Sequence, residues 1–239
     1  MIKIFIPAYN EEKFIGSNLT YLSSKFSELL KEDYIIYIVN DGSIDKTGQI
    51  IDDLKINNIV QFRCKGPTVR ENVGKMMLKS CNKGDLLLLI DADLSTDIKA
   101  IPQLFKEINN GYDVVIGSRY VNGSRLRRTT YRFIVSKLFN FSLRVYFGSN
   151  IKDHECGFKL FKAKAIKDIV ENMGWSFKRR GFWDSEFLIR ASQKNYLIKE
   201  IPITWEEGPK SYISLKKEKS MIPYIFFLKF RLFKERKKN

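Results

Sequence analysis

The stretch Asp85-Leu86-Leu87-Leu88-Leu89-Ile90-Asp91-Ala92-Asp93 decides the fold. Its apolar run, residues 86–90, is too short to cross a bilayer and too uniform for a strand with one wet face. Such a run suits a central parallel strand covered on both sides. It stops at Asp91 and Asp93, two carboxylates one residue apart. In open α/β sheets, ligands bind outside the carboxyl ends of the strands. Side chains at i and i+2 of an extended segment share a face, so both carboxylates can address one hard cation, Mg²⁺ or Mn²⁺, together with substrate phosphates. The competing reading is that Asp91 or Asp93 caps a helix beginning near Thr96 or Asp97.

Outward from this stretch, strands and helices alternate. Residues 2–6 read as a first strand ended by Pro7, and a helix follows with Phe14, Ile15, Leu19, Leu22, Phe26, Leu29 and Leu30 apolar. Residues 34–39, 59–62 and 113–116 read as further strands, and helices are expected through Ile50 and Leu54, over 68–81 and over 98–108. This alternation predicts an α/β protein with a mostly parallel sheet. Polar residues gather where each strand ends: Tyr9 and Glu11, Asp41, Lys65 and Gly66, Asp91 and Asp93, Ser118 and Arg119. The first loop lacks the G-x-G-x-x-G of a dinucleotide fold, and Gly74-Lys75-Met76 fails the P-loop pattern.

The net charge of +15 is localised. Between Asp113 and Asp153 there are eight basic residues and no acid, and from Leu215 onward nine basic residues face Glu218 and Glu235. These two segments supply +8 and +7, the whole excess. Basic faces on a neutral body suit anionic lipid, nucleic acid or a phosphorylated substrate. Cys64, Cys81 and Cys156 have no paired spacing, and His154 is the single histidine, so zinc and disulfides are not expected. No signal-peptide pattern opens the chain, and no apolar run nears the roughly 20 residues of a membrane span. A cytosolic or peripheral protein is expected.

Ile6-Pro7-Ala8-Tyr9-Asn10-Glu11-Glu12, Asn40-Asp41-Gly42-Ser43 with Asp45 and Thr47, and Asp91-Ala92-Asp93 stand in order at strand ends. In this the chain resembles the family-2 glycosyltransferases of GT-A fold. Gly117-Ser118-Arg119, residues 153–161, Trp183-Asp184-Ser185-Glu186 and residues 201–205 look like polyprenyl-phosphate sugar synthases. Lys65-Gly66-x-x-Val69-Arg70 and Cys156-Gly-Phe-Lys-Leu-Phe161 look most like dolichyl-phosphate glucosyltransferases. The resemblance implies that Pro7, Tyr9, Glu11, Asp41, Lys65, Gly66 and Arg70 hold the donor nucleotide, with Asp91 and Asp93 on the metal at its diphosphate. It departs at Asn40, where relatives often have Asp, and at Ser95, where mannosyl relatives have Gln. The implied domain is residues 1–211, with residues 212–239 as a membrane-associating tail.

A departing diphosphate is stabilised by a divalent cation without proton transfer. A sugar hydroxyl as acceptor would need a general base, and Asp184 would be the candidate. A phosphomonoester is already largely ionised near neutrality and needs positive charge to position it, which Arg119 offers. Residues 131–147, in the basic stretch 125–148, read as an aromatic-rich helix in which Arg132, Ser136, Asn140 and Arg144 form one polar stripe. Either this is a core helix with one solvated face, or it is an interfacial helix whose Arg132 and Ser136 join Arg119 on a lipid phosphate. The tail, aromatic and basic from Ile222 to Lys238, is a docked terminal helix or an attachment to an anionic bilayer. Asp184 is expected to orient basic groups or the sugar, Trp183 to stack on the sugar or fill the core, and His154 and Cys156 to be structural. Lys210 and Ser211 could close over the site.

The resulting expectation is a metal-dependent, inverting transfer of glucose from UDP-glucose to a polyprenyl phosphate at the cytoplasmic membrane surface. GDP-mannose or a glycan hydroxyl are the nearer alternatives. A nucleic-acid-binding module is disfavoured, because the aromatics pattern as helix faces and not as a stacking groove.

Overall fold

A computed structural model describes residues 1–68, 70–208 and 215–237. Lys210, Ser211 and the expected boundary between body and tail lie outside the described residues. The main sheet has seven strands, in the order β3 (Ile59–Arg63), β2 (Tyr34–Asn40), β1 (Ile2–Ala8), β4 (Leu86–Leu89), β7 (Lys159–Lys162), β5 (Val114–Ser118) and β8 (Ile198–Pro202). All neighbours run parallel except β7, which is antiparallel to both β4 and β5. Strand alternation divides the core between the two faces. Ile2, Ile4, Ile6 and Leu88 pack with Ile15, Leu19, Leu22 and Phe26 of α1 (Ile15–Leu29) and with Leu104 of α4 (Ile101–Asn109). Phe5, Leu87 and Leu89 pack on the other face against α3 (Glu71–Ser80), α6 (Ala163–Met173) and α7 (Trp183–Gln193). The apolar run is therefore covered on both sides, as its composition requires.

Several local expectations are corrected. β1 does not end at Pro7 but continues to Ala8, in register with Val39 and Asn40 of β2. α3 begins at Glu71 because Thr68 is held by the Asp41 side chain through its backbone N–H (2.7 Å) and its hydroxyl (2.8 Å). The expected helix over 98–108 is split into a 3-10 turn, Ile98–Ala100, and α4. Asp97 caps that turn, accepting from the Lys99 N–H at 3.0 Å, so Asp91 and Asp93 are not its caps. β7 has no apolar run to announce it. Its Lys159 is fully buried and ion-paired, and only the tertiary partner makes a lysine acceptable there. A second, two-stranded sheet pairs β6 (Arg125–Arg127) with β9 (Thr204–Glu206).

The amphipathic helix, α5 (Thr130–Phe147), is inverted relative to a core helix with a solvated polar face. Ser136 and Asn140 of the polar stripe are buried, while Tyr131, Ile134, Leu138, Phe141 and Val145 are exposed, Val145 by 70%. Asn140 spends its carboxamide inside, accepting from the His154 N–H at 2.8 Å and donating to Ser136 O at 2.9 Å. The terminal helix α8 (Leu215–Arg236) buries Met221, Tyr224, Leu228 and Leu232 against Leu143 and Phe147 of α5 and against Phe182 and Ile189. Its Phe226, Phe227, Phe230 and Phe233 are exposed. The two helices meet where Phe226 packs edge-on to Tyr146, with ring centres 5.7 Å apart. Among the described residues, no helix is long and apolar enough to cross a membrane.

At the amino end of the central strand, Asp85 anchors the sheet. It pairs with buried Lys3 of β1 at 2.6 Å and accepts from the Asn82 N–H at 2.7 Å. Burial raises the Asp85 pKa, but these donors outweigh it and hold the carboxyl below its ordinary 3.8. The stabilisation is thus present above that ordinary value and lost as pH falls through the depressed one. Asp85→Asn leaves Lys3 buried without its counter-charge and is expected to cost about 3 kcal/mol. Urea denaturation near neutral pH measures this, and the difference from wild type should shrink in acid.

Candidate active site

The loops after β1 and β2 lock together. Asn10, at φ 53°, donates its N–H to the Ser43 hydroxyl at 3.0 Å and accepts from the Ile44 N–H at 2.9 Å. The Glu11 N–H donates to Thr47 at 2.7 Å, and the Lys46 N–H to Glu12 at 3.1 Å. Pro7 sits half-buried at the base of this pair of loops, and Tyr9 projects into solvent. Asp41 is buried where β2 ends, holding Thr68 and accepting from Asn72 Nδ2 at 2.6 Å. Lys65 and Gly66 lie exposed beside it. Gly66 admits no side chain, since a Cβ there would stand 2.0 Å from the Asp41 carbonyl. The donor-binding residues expected from the first three loops thus share one ridge, fixed by Asp41.

Asp91 and Asp93 follow β4 at the centre of the same edge. Arg70, at φ 78° in the left-handed region, donates to Asp91 and, through Nε at 3.1 Å, to Asp184. A non-glycine residue in that conformation is strained by about 1 kcal/mol. Lys159 Nζ reaches the other Asp184 oxygen at 2.7 Å and also donates to the Cys156 carbonyl. Burial raises the Asp91 pKa, but the charges of Arg70, Lys159 and Arg119 outweigh it and keep the carboxylate ionised. Asp93 is pushed the other way, by burial and then by the charge of Asp91, although it accepts from the Ser95 N–H at 3.0 Å. Three carboxylates therefore meet two cations, Arg70 and Lys159, leaving a net negative charge.

That deficit fits a divalent cation. Asp91 and Asp93 are hard oxygen donors of the kind Mg²⁺ or Mn²⁺ takes. Among the described residues, no third His, Cys or acid joins them as a metal group, so the remaining ligands would come from diphosphate oxygens and water. Glycine backbone crowds both carboxylates: a Cβ on Gly157 would meet Asp91 Oδ2 at 1.9 Å, and one on Gly208 would meet Asp93 Oδ2 at 2.8 Å. Arg70 Nη1 is buried with no hydrogen-bond partner among the described residues, a donor left over for a phosphate oxygen.

The expected acceptor residues Arg119, Arg132 and Ser136 are connected through neighbouring side chains. Arg119 is clamped by fully buried Asp153, with Nε and Nη2 each at 2.7 Å and its backbone N–H at 2.9 Å. Arg132 donates to Glu207, and Ser136 shares a 2.5 Å hydrogen bond with the Tyr120 hydroxyl. Tyr120 lies under the Arg119 guanidinium, 5.5 Å from its ring centre, so it links Ser136 to Arg119, while Arg132 joins through a carboxylate. Trp205 supports Arg119 from β9 at the same distance. Asp153, Lys159 and Trp205 lie in the stretches 153–161 and 201–205 that carry the resemblance but were given no role of their own, and Tyr120 and Glu207 were not singled out in sequence.

Other residues settle into the core. Trp183 is buried and stacks on Phe187 at 5.6 Å; a Cβ on Gly74 would strike its indole at 2.6 Å, so it fills the core and does not face a sugar. His154 is buried between Asn140 and Ser149, and burial drives its pKa down to about 4. Burial pushes the Cys156 thiol up to about 12. Both are structural, and Cys64, Cys81 and Cys156 are all free.

Known proteins are similar to this chain in sequence and in fold. A dolichyl-phosphate beta-glucosyltransferase of Trichomonas vaginalis is 32% identical over 226 residues, covering 89% of this chain and 68% of the relative. The glycosyltransferase AglD of Haloferax volcanii is 28% identical over 91% of this chain, which spans 35% of that protein. A polyprenol monophosphomannose synthase of Mycolicibacterium smegmatis is 27% identical over 85% of this chain and 77% of its own length. In fold, the chain matches glucosyl-3-phosphoglycerate synthase of Mycobacterium tuberculosis, solved with Mn²⁺, UDP-glucose and phosphoglyceric acid. The TM-score is 0.66 at 15% identity, over 95% of this chain and 77% of that one. Residues 3–170 match the glycosyl transferase family 2 model. The sheet order, the paired carboxylates and these relatives agree: the chain belongs to glycosyl transferase family 2 and has the GT-A fold.

Proposed function

We propose that this enzyme transfers glucose from UDP-glucose, with inversion, to a polyprenyl phosphate at the cytoplasmic surface of a membrane, using Mg²⁺ or Mn²⁺. The observation that carries the reading is the inversion of α5. Its inner face meets the arginine cluster through Ser136 and Arg132, and its outer face is apolar. One helix can thus address a phosphate with one side and lipid with the other. Relatives named for dolichyl phosphate and polyprenol support the acceptor class, and those named glucosyltransferases support the sugar.

The donor nucleotide lies along the ridge of Pro7, Tyr9, Glu11, Asp41, Lys65 and Gly66. A divalent cation held by Asp91 and Asp93 supplies charge neutralisation for the departing diphosphate. Arg70, bridging Asp91 and Asp184, directs its remaining donor at the same oxygens. Asp184 has both oxygens committed, to Arg70 and to Lys159, so it orients cations and is not free to take a proton. A phosphate acceptor, ionised at its second pKa of about 6, needs no base. Arg119, Arg132 and Ser136 are the residues assigned to position it.

The outward faces of α5 and α8 suit attachment to an anionic bilayer. Lys234 lies over Phe230 at 4.4 Å and Lys237 over Phe233 at 4.6 Å, so apolar rings and basic head groups share one surface. Each such cation near an anionic surface contributes about 1 kcal/mol.

Two measurements test the proposal. Purified protein incubated with polyprenyl phosphate and radiolabelled UDP-glucose, GDP-mannose and UDP-N-acetylglucosamine should carry only the glucose label into the lipid extract. Chelation should abolish transfer, and Asp91→Asn or Asp93→Asn should reduce it on the order of 100-fold or more. Mannose in the extract would replace the sugar while keeping the acceptor; label only in water-soluble glycan would overturn the acceptor. In co-sedimentation with phosphatidylserine liposomes, Leu138→Glu combined with Phe230→Glu should release the protein, with Tm little changed because both side chains are exposed. Retention of that variant at high salt would contradict membrane attachment by these faces.

A further inference from the structure

Arg128 and Glu207 are the residues immediately after β6 and β9, and the register of Arg127 with Glu206 makes them neighbours. The Arg128 side chain is 2% exposed. Its guanidinium lies over Trp205, 5.1 Å from a ring centre that Arg119 also overlies. Among the described residues, neither Nε nor Nη1 of Arg128 has a hydrogen-bond partner, although both are buried. Its Nη2 is 3.7 Å from Glu207, a loose contact, and Arg132 donates to the same carboxylate oxygen. Burial and the charge of Arg119 both push the Arg128 pKa down.

A guanidinium cannot relieve this by losing its proton, and an orphaned buried donor costs about 1–3 kcal/mol. The surrounding charges do not balance either. Among the ion pairs of the described residues, Arg119, Arg128 and Arg132 face Asp153 and Glu207, leaving one positive charge. A carboxylate also has too few oxygens for the donors gathered here.

We propose that Arg128 is an acceptor-phosphate-binding residue, and that Glu207 is a displaceable carboxylate holding the place of that phosphate between Arg128 and Arg132. This rests on the reading of the acceptor as a phosphomonoester. A dianion with three terminal oxygens supplies the missing charge, engages Arg128 Nε and Nη1, and replaces Glu207 on Arg132. The exchange requires only the Glu207 side chain to turn, since its backbone N–H is held by the Arg127 carbonyl at 3.1 Å. The next residue, Gly208, lies against Asp93, so the vacated position borders the metal carboxylates across a single stretch of backbone.

The test is calorimetric binding of citronellyl phosphate, citronellol and glycerol 3-phosphate to the full chain, alongside UDP and the acceptor KM. Glu207→Gln should bind citronellyl phosphate several-fold more tightly and lower the acceptor KM, because no anion need be displaced. Arg128→Lys should weaken it about tenfold, with UDP affinity within about twofold of wild type and citronellol binding unmoved. A purely structural ion pair predicts the opposite for Glu207→Gln: lower Tm and unchanged or poorer acceptor binding. That result overturns the inference while the polyprenyl-phosphate reading stands. If glycerol 3-phosphate binds and responds to both variants but citronellyl phosphate does not bind, the anion site stands and the lipid reading falls. If neither phosphate binds wild type, both fall. Should Arg128→Lys fail to fold, Glu207→Gln decides alone.

Discussion

The ion pairs that Arg70 makes with Asp91 and Asp184 hold the carboxyl edge of the sheet together. They join a residue before α3, the end of the central strand and the start of α7, three segments far apart in sequence. Acids gathered at one sheet edge repel one another, and the Asp93 pKa is raised by burial and then by the charge of Asp91. Arg70 and Lys159 pair with Asp91 and Asp184, and the charge of Arg70 outweighs burial at Asp91, while Asp93 makes no such ion pair among the described residues. Their partial neutralisation leaves the edge both stable and attractive to a divalent cation. The left-handed backbone of Arg70 is the local strain that puts its guanidinium there.

A second cluster has the opposite sign. Arg119, Arg128 and Arg132 collect around Trp205 and Tyr120 with Asp153 and Glu207 as counter-charges. Segment 205–208 runs between the two clusters, with Trp205 under the arginines and Gly208 against Asp93. Opposed fields separated by one strand end suit a reaction between two anions, in which the donor diphosphate is neutralised from one side and the acceptor from the other. Neither cluster is neutral alone.

The placement of α5 and α8 leaves apolar side chains exposed beside these clusters. α5 turns its hydroxyl and carboxamide inward, where Tyr120 and His154 meet them, and leaves Leu138, Phe141 and Val145 outside. Its buried face thus mixes polar groups with Leu143 and Phe147, whereas a surface helix in water usually buries its apolar stripe. α8 extends the same surface through Phe226 and Phe230 and is fixed to the body by Tyr224, whose hydroxyl donates to buried Glu186 at 2.6 Å.

Sequence by itself determined the elements whose cause is local. The uniform run 86–90 could only be a strand covered on both faces. The pair Asp91 and Asp93 was visible as acids closing the strand, although residues 92–93 form a turn and not the extended segment expected, and the strand–helix alternation pointed to a mostly parallel sheet. It also marked the loops at Tyr9, Asp41 and Lys65, because polar residues ending apolar strands are visible without a structure. Tertiary structure decided whatever depends on a distant partner. Lys159 makes β7 only because Asp184 meets it, Thr68 delays α3 only because Asp41 holds it, and Arg119 is clamped by an aspartate 34 positions away. The direction in which α5 turns its polar stripe could not be read either, since the pattern is the same whichever side faces the body. Periodicity fixes which residues share a face, and the charges and hydroxyls packed against that face choose its orientation.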